Sequence, residues 1–270
     1  MKAARFITDI TLLSFSKRIP PRERVEWAGK LDAIGVHEIV MGLSSRRELE
    51  ACGQVIRRAQ QAVYVPMDPV QLARALRSGV RSIHVEIPIS YPMIYTVYRK
   101  NKDWARKTMC ECRDMVAESG ASPTLVLADA SRAEPYFLES LVQLSEGMHI
   151  EKLIAKDLMG IQTLSACAEL IGTLLSFGYE LGYEGSDQFG LSVANTIQAL
   201  RSGAAHANCC LGNVGGGCDL RRLLQTTARI FQYGIDRKGA EHLDRTFKQQ
   251  YRGERLRERE NSRPADCRLR

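Results

Sequence analysis

No stretch of this sequence approaches the run of about 20 apolar residues that crosses a bilayer, and the opening MKAARFITDI lacks the pattern of a secretory signal. A cytoplasmic protein with no membrane partner is expected. The eight cysteines contain no CxxC pair. Cys110 and Cys112 fall in a predicted helix and Cys209 and Cys210 in a predicted strand, which is not the pattern of a small disulfide scaffold, so reduced thiols are expected. Histidine is scarce: His37, His84, His149, His206 and His242 are the whole set, and no two are spaced i, i+2 or i, i+4. A two-imidazole metal site from one element is therefore excluded. No linker-like break interrupts the first 235 residues.

An apolar fraction of 44% is enough for a sizeable core. The formal net charge is +7, with a sequence pI near 9.0. A basic surface suits nucleic acid, and it equally suits phosphate-bearing small molecules such as acyl-CoA. The most basic segment, 252–270, mixes Arg with Glu. It reads as a solvated helix fraying into disorder, not as a nucleic-acid arm.

Short apolar runs at 5–10, 36–41, 63–67, 82–89, 123–128, 152–157, 180–184 and 205–211 predict eight strands. Helical patterns separate them, at 20–34, 46–62, 68–76, 91–118, 133–145 and 162–176. Another carries Leu191, Ala194, Ile197 and Leu200 on one face, and the last covers 220–233. Eight strand–helix pairs predict an α/β fold, a (β/α)8 TIM barrel over 1–235, followed by a C-terminal helix and basic tail over 236–270. A doubly wound open sheet is the alternative. The organising stretch is 183–220, where a strand, a helix, a second strand and the glycine loop 212–218 follow one another. In parallel α/β proteins, ligands bind at the carboxyl ends of such strands.

Five segments in order resemble the acyl-CoA condensation and cleavage family that holds 2-isopropylmalate synthase, homocitrate synthase and 3-hydroxy-3-methylglutaryl-CoA lyase. They are ITDITL at 7–12, LDAIGVHEIVMG at 31–42, ADASR at 128–132, KDLMG at 156–160 and SDQFGLSVAN at 186–195. The resemblance implies a TIM barrel, a 2-oxo-acid or acyl-CoA substrate with acyl-CoA as co-substrate, and a homodimer. It also implies a divalent metal held by an Asp just after the first strand and an H-x-H pair on the seventh. Here those positions read Leu13-Ser14 and Glu184-Gly185-Ser186. Three expectations follow: carbon–carbon chemistry at a rearranged, metal-free site; a non-catalytic binding or scaffold protein; or a metal regained through oxygen ligands among Asp9, Asp157, Glu184 and Asp187.

The candidate catalytic residues are Cys218, Glu184, Asp187 and Lys156. Cys218 resembles the glycine-loop cysteine of the lyase branch, an acid/base there, and reads equally as a helix-start cysteine with no role. Lys156 at the end of strand six reads either as a Schiff-base lysine, which needs a depressed pKa, or as a surface ion pair with its neighbour. Strand alternation argues against both Lys156 and Asp157 facing inward. Glu184, Ser186 and Asp187 read as acid/base or cation-binding groups, or as a wet remnant. The candidate substrate-binding residues are Asp9, Thr11, Ser90, Asp157, Ser186, Asn208 and Asn213, with Gly215, Gly216 and Gly217 cradling a phosphate or oxyanion. Asp129 and Arg132 read as a structural ion pair, and His84 and His206 as core residues.

Overall fold

The computed structural model describes residues 3–251; the tail expected at 252–270 lies outside the described residues. Eight parallel strands form the centre: β1 (Phe6–Asp9), β2 (Glu38–Gly42), β3 (Gln60–Pro66), β4 (Ser82–Pro88), β5 (Thr124–Ala128), β6 (Lys152–Asp157), β7 (Glu180–Gly185) and β8 (His206–Cys210). Each pairs with the next, and β8 pairs with both β7 and β1, so the sheet closes and exposes no edge. The fold is a (β/α)8 barrel. Helices α1 (Pro21–Ala33), α2 (Arg46–Val55), α3 (Pro69–Leu76), α4 (Lys102–Ser119), α5 (Pro135–Leu144), α6 (Leu164–Leu175), α7 (Ser192–Arg201) and α8 (Leu220–Thr226) surround it. No helix among the described residues is long and apolar enough to cross a membrane.

Three helix boundaries differ most from expectation, each for a local reason. Helix α2 ends at Val55, not at 62, because the Asp32 carboxylate accepts the backbone N–H groups of Arg58 and Ala59 at 2.8 and 2.7 Å and turns the chain into β3. The long helix expected at 91–118 is broken at Arg99, whose φ is 53°, and restarts where the Asn101 side chain caps α4. The last predicted helix stops at Thr226, and Phe231–Gln232 instead pairs with Ala3–Ala4 beneath the barrel. A ninth helix, α9 (Arg237–Gln250), follows. Phe247 and the adjacent Tyr251 pack on Phe15 and Trp27, and the Trp27 indole N–H donates to the Tyr251 hydroxyl at 3.0 Å.

Side chains alternate across the barrel wall, which sorts polar from apolar along each strand. Ile7, Ile39, Val63, Val85, Leu125, Leu153 and Leu181 point outward to the helices and are buried there. The inward set is unusually polar. Near the amino ends, Glu38 accepts hydrogen bonds from Thr8 and Ser82 at 3.1 Å and an ion pair from Lys152 at 2.8 Å, with the His84 Nε2 at 3.1 Å. Burial would raise the Glu38 carboxyl, but the facing His84 and Lys152 outweigh it and hold the group well below the usual carboxylate range. An apolar layer of Val40, Ala62, Val126 and Ile154 separates this network from the carboxyl end of the barrel.

Candidate functional site

Five inward side chains meet at the carboxyl ends of the strands. The Lys156 ammonium lies 3.0 Å from Glu86, 3.1 Å from Glu184 and 3.1 Å from the Tyr64 hydroxyl. Tyr64 in turn donates to the same Glu86 oxygen. The other oxygen of Glu184 accepts the Asn208 amide N–H at 2.8 Å. Strand register makes this cluster: Lys156 pairs with Glu184 across β6 and β7, and the fifth residues of β3, β4, β6 and β7 all face the axis. Glu86 and Lys156 each retain 16% of their side-chain exposure, so the cluster touches the mouth.

Burial opposes the charge on Lys156, but Glu184, Tyr64 and Glu86 together hold its ammonium well above the usual lysine range. A Schiff base needs a neutral amine, and this environment supplies the opposite. Nor is Lys156 a surface ion pair with Asp157. The two lie on opposite faces of the strand, as alternation requires. Asp157 accepts the backbone N–H groups of Gly160 and Gln162 at 3.1 and 3.3 Å and shapes the loop after β6. Burial pushes the Tyr64 hydroxyl well up, so it remains a donor.

A second group lies above β7 and β8. Asp187 accepts the Ser192 N–H and hydroxyl at 3.2 and 2.6 Å and the Asn213 amide at 2.7 Å, while its own N–H donates to Gly216. Asp187 thus joins the start of α7 to the glycine loop. The Ser186 N–H donates to the Asp157 carbonyl at 3.0 Å. Within the loop, Gly212 donates to Asp244 of α9 at 2.8 Å and Gly217 to the Val214 carbonyl at 3.3 Å. The loop is therefore tied down on two sides.

The remaining candidates lie apart from the Lys156 cluster. Cys218 is fully buried and pairs in register with Cys209, the outward-facing residue of β8; its thiol lies beside that of Cys209, in the layer between wall and helices. Asp9, at the end of β1, is fully buried and accepts both the N–H and the hydroxyl of Thr11 at 2.9 and 3.1 Å; Thr11 in turn accepts the Leu211 N–H at 2.8 Å. Ser90 bonds to Asp129, accepts the Met93 N–H at 3.1 Å, and so belongs with the Asp129–Arg132 ion pair. Thus Lys156, Glu184 and Asn208 are brought together, Ser186, Asp187, Asn213 and the glycines form the adjoining loops, and Asp9, Thr11, Ser90, Asp157 and Cys218 serve neighbouring turns and layers.

Tyr64 and Glu86 escaped sequence reasoning. For Glu86 the signal was the period-two spacing of polar Ser82, His84 and Glu86 within an otherwise apolar strand; Tyr64, in a neighbouring strand, left none.

A divalent metal does not fit these residues. One Glu184 oxygen accepts the Asn208 N–H and the other faces the Lys156 ammonium at 3.1 Å, so the groups around this carboxylate are hydrogen-bearing nitrogens and not oxygen ligands for a shared cation. Ser14, at the resemblance's metal-Asp position, lies under Gly215, close enough that a Cβ on that glycine would be 2.7 Å from the Ser14 Cβ. Among the described residues, no group of three or more His, Cys, Asp or Glu is placed to hold a metal ion.

Two outcomes follow here. Gly215 has φ +61° as well as that close contact, whereas Gly216 has φ +65° and open space. Gly215→Ala is expected to lower stability by about 2–3 kcal/mol and Gly216→Ala by about 1 kcal/mol, read from urea denaturation midpoints. Burial pushes the Asp9 carboxyl up to about 7, against the lowering effect of Thr11. Its pKa is thus raised on folding, so its contribution is intact below about pH 4 and lost as pH rises towards 7. Asp9→Asn should match the natural chain near pH 4.5 and exceed its stability by about 1–3 kcal/mol at pH 8.

A family profile described as HMGL-like matches residues 15–230. An (R)-citramalate synthase of Methanocaldococcus jannaschii is 26% identical over 227 residues, covering 82% of this chain and 46% of that protein. A homocitrate synthase of a Frankia species is 25% identical, covering 79% of this chain and 56% of its own length. The chain therefore spans about half the length of these curated relatives. Among solved structures, an HMG-CoA lyase from Acinetobacter baumannii in complex with coenzyme A and 3-methylmalate superposes with a TM-score of 0.78 at 15% identity, covering 91% of this chain and 90% of that one.

Proposed function

Because this chain belongs to the HMGL-like family, we propose that it makes or breaks a carbon–carbon bond in a 2-oxo-acid or acyl-CoA substrate, at the Tyr64–Glu86–Lys156–Glu184–Asn208 cluster. The relatives are condensing synthases, and the structural neighbours include a lyase solved with coenzyme A. Both directions pass through one carbanion beside a carbonyl, so one site serves either.

The observation that carries this reading is the charge imbalance of the cluster. Two carboxylates share one ammonium at the end of the barrel where such folds do their chemistry. Only one oxygen of Glu86 is engaged by Tyr64 and Lys156; the second takes no hydrogen bond among the described residues. Glu86 is then the proton acceptor, able to take a proton from the carbon beside the carbonyl. Lys156 holds that carboxylate in place, and Glu184 holds Lys156 while accepting the Asn208 N–H. The net positive charge of the chain favours the phosphates of coenzyme A. By likeness to the family, the protein works as a homodimer.

Proton abstraction can be read without knowing the second substrate. Acetyl-CoA, propionyl-CoA, pyruvate and 2-oxobutyrate are incubated with the protein in D2O, and loss of the exchangeable protons is followed by 1H NMR. The reading expects exchange above the buffer rate with at least one of them. Binding of coenzyme A without exchange of any probe would favour a non-catalytic binding protein instead. That alternative has its own support, since the Lys156 ammonium is already held by Tyr64, Glu86 and Glu184, and Glu184 by Lys156 and Asn208, within the protein.

A further inference from the structure

Two carboxylates from opposite parts of the barrel, Glu86 on β4 and Glu184 on β7, converge on one point, and an ammonium occupies it. Nζ of Lys156 has three oxygens at 3.0–3.1 Å: it donates to Glu86 and to the Tyr64 hydroxyl and is ion-paired with Glu184. Without a cation between them, carboxylates drawn together in this way repel, and one takes up a proton. The common remedies are a metal ion with oxygen ligands or a fixed basic side chain.

The surroundings show which remedy this chain uses. Asn208 is almost fully buried and turns its N–H to Glu184, leaving its carbonyl oxygen without a partner among the described residues. A carboxamide beside a metal would present that oxygen to the ion. The amide is therefore oriented by a carboxylate whose countercharge comes from elsewhere. Tyr64 adds a neutral oxygen to Nζ and a donor to Glu86, completing a shell built for an ammonium.

We infer that Lys156 is a built-in cation that occupies the charge-balancing role of a divalent metal in this barrel mouth, and that removing it turns Glu86 and Glu184 into a metal-binding pair. The inference concerns cation occupancy and holds whether or not the chain turns over a substrate.

The test is a titration with Mn2+ at pH 8, counting free ion by electron paramagnetic resonance. The natural chain should bind less than about a tenth of an equivalent in the mouth at micromolar Mn2+. Lys156→Gln should bind about one equivalent, at least about tenfold more tightly than the natural chain; Mg2+ should compete, and Glu184→Gln added to that variant should abolish the gain. Unfolding of Lys156→Gln should shift upward with added Mn2+, while that of the natural chain stays put. A natural chain that binds an equivalent which Glu184→Gln removes would overturn the inference. So would a Lys156→Gln protein with native circular dichroism and no gain. If Lys156→Gln does not fold, the natural chain and Glu184→Gln decide between the two: no loss of bound Mn2+ on Glu184→Gln supports the built-in cation.

Discussion

Replacing Lys152 by Met is expected to remove about 3–5 kcal/mol of stability, the largest effect of any single change in the lower half of the barrel. Lys152 and Glu38 are both buried, 2.8 Å apart, on strands that face each other across the axis. Without the ammonium, Glu38 keeps Thr8, Ser82 and His84 but loses its one permanent countercharge. The double variant Glu38→Gln/Lys152→Met removes both charges and should recover most of the loss. Urea denaturation midpoints at pH 8 read both the loss and its recovery. A loss below about 1 kcal/mol at pH 8 would mean that water already solvates this layer.

Lys156→Met should cost a similar amount at pH 8, with a distinct pH signature. Its removal leaves Glu86 and Glu184 facing the same vacated point. In the folded variant one carboxylate then has its pKa raised above that of the unfolded chain. A group so raised stabilises the fold while protonated, so the variant's deficit should shrink as pH falls from 8 to 5 and widen as pH rises. In Lys156→Met/Glu184→Gln the pH dependence of the deficit should vanish, because only one carboxylate remains. A deficit that does not change with pH would show that the two carboxylates do not meet in solution.

The two lysines of β6 also show how much of this protein was legible in its sequence. The eight strands were, because each is a short apolar run between polar turns, and the seven-residue β4 and six-residue β6 fall within a residue of their expected ends. The site was legible in part. Lys156 and Glu184 stand next to the carboxyl ends of their strands, where a parallel barrel gathers ligands, and Asn208 faces them from the middle of β8. Tyr64 and Glu86 were hidden because β3 starts three residues earlier than its apolar core, and because Glu86 sits inside a run read as continuous wall. Only the register between strands shows that both face the axis. Cys218 illustrates the reverse. Its glycines mark a loop, but its pairing with Cys209 turns the thiol behind the wall, and that register is set by how the intervening loop folds back. The links from Asp187 to Asn213 and from Gly212 to Asp244 are tertiary, spanning 26 and 32 residues.

The most direct measurement of the central claim compares the natural chain with Glu86→Gln in the deuterium exchange assay, alongside calorimetric binding of coenzyme A. If the open oxygen of Glu86 takes the proton, exchange should fall by about 10²–10⁴-fold while the dissociation constant stays within about twofold. Exchange that persists in Glu86→Gln at the rate of the natural chain would contradict the account and move the chemistry away from the Lys156 cluster.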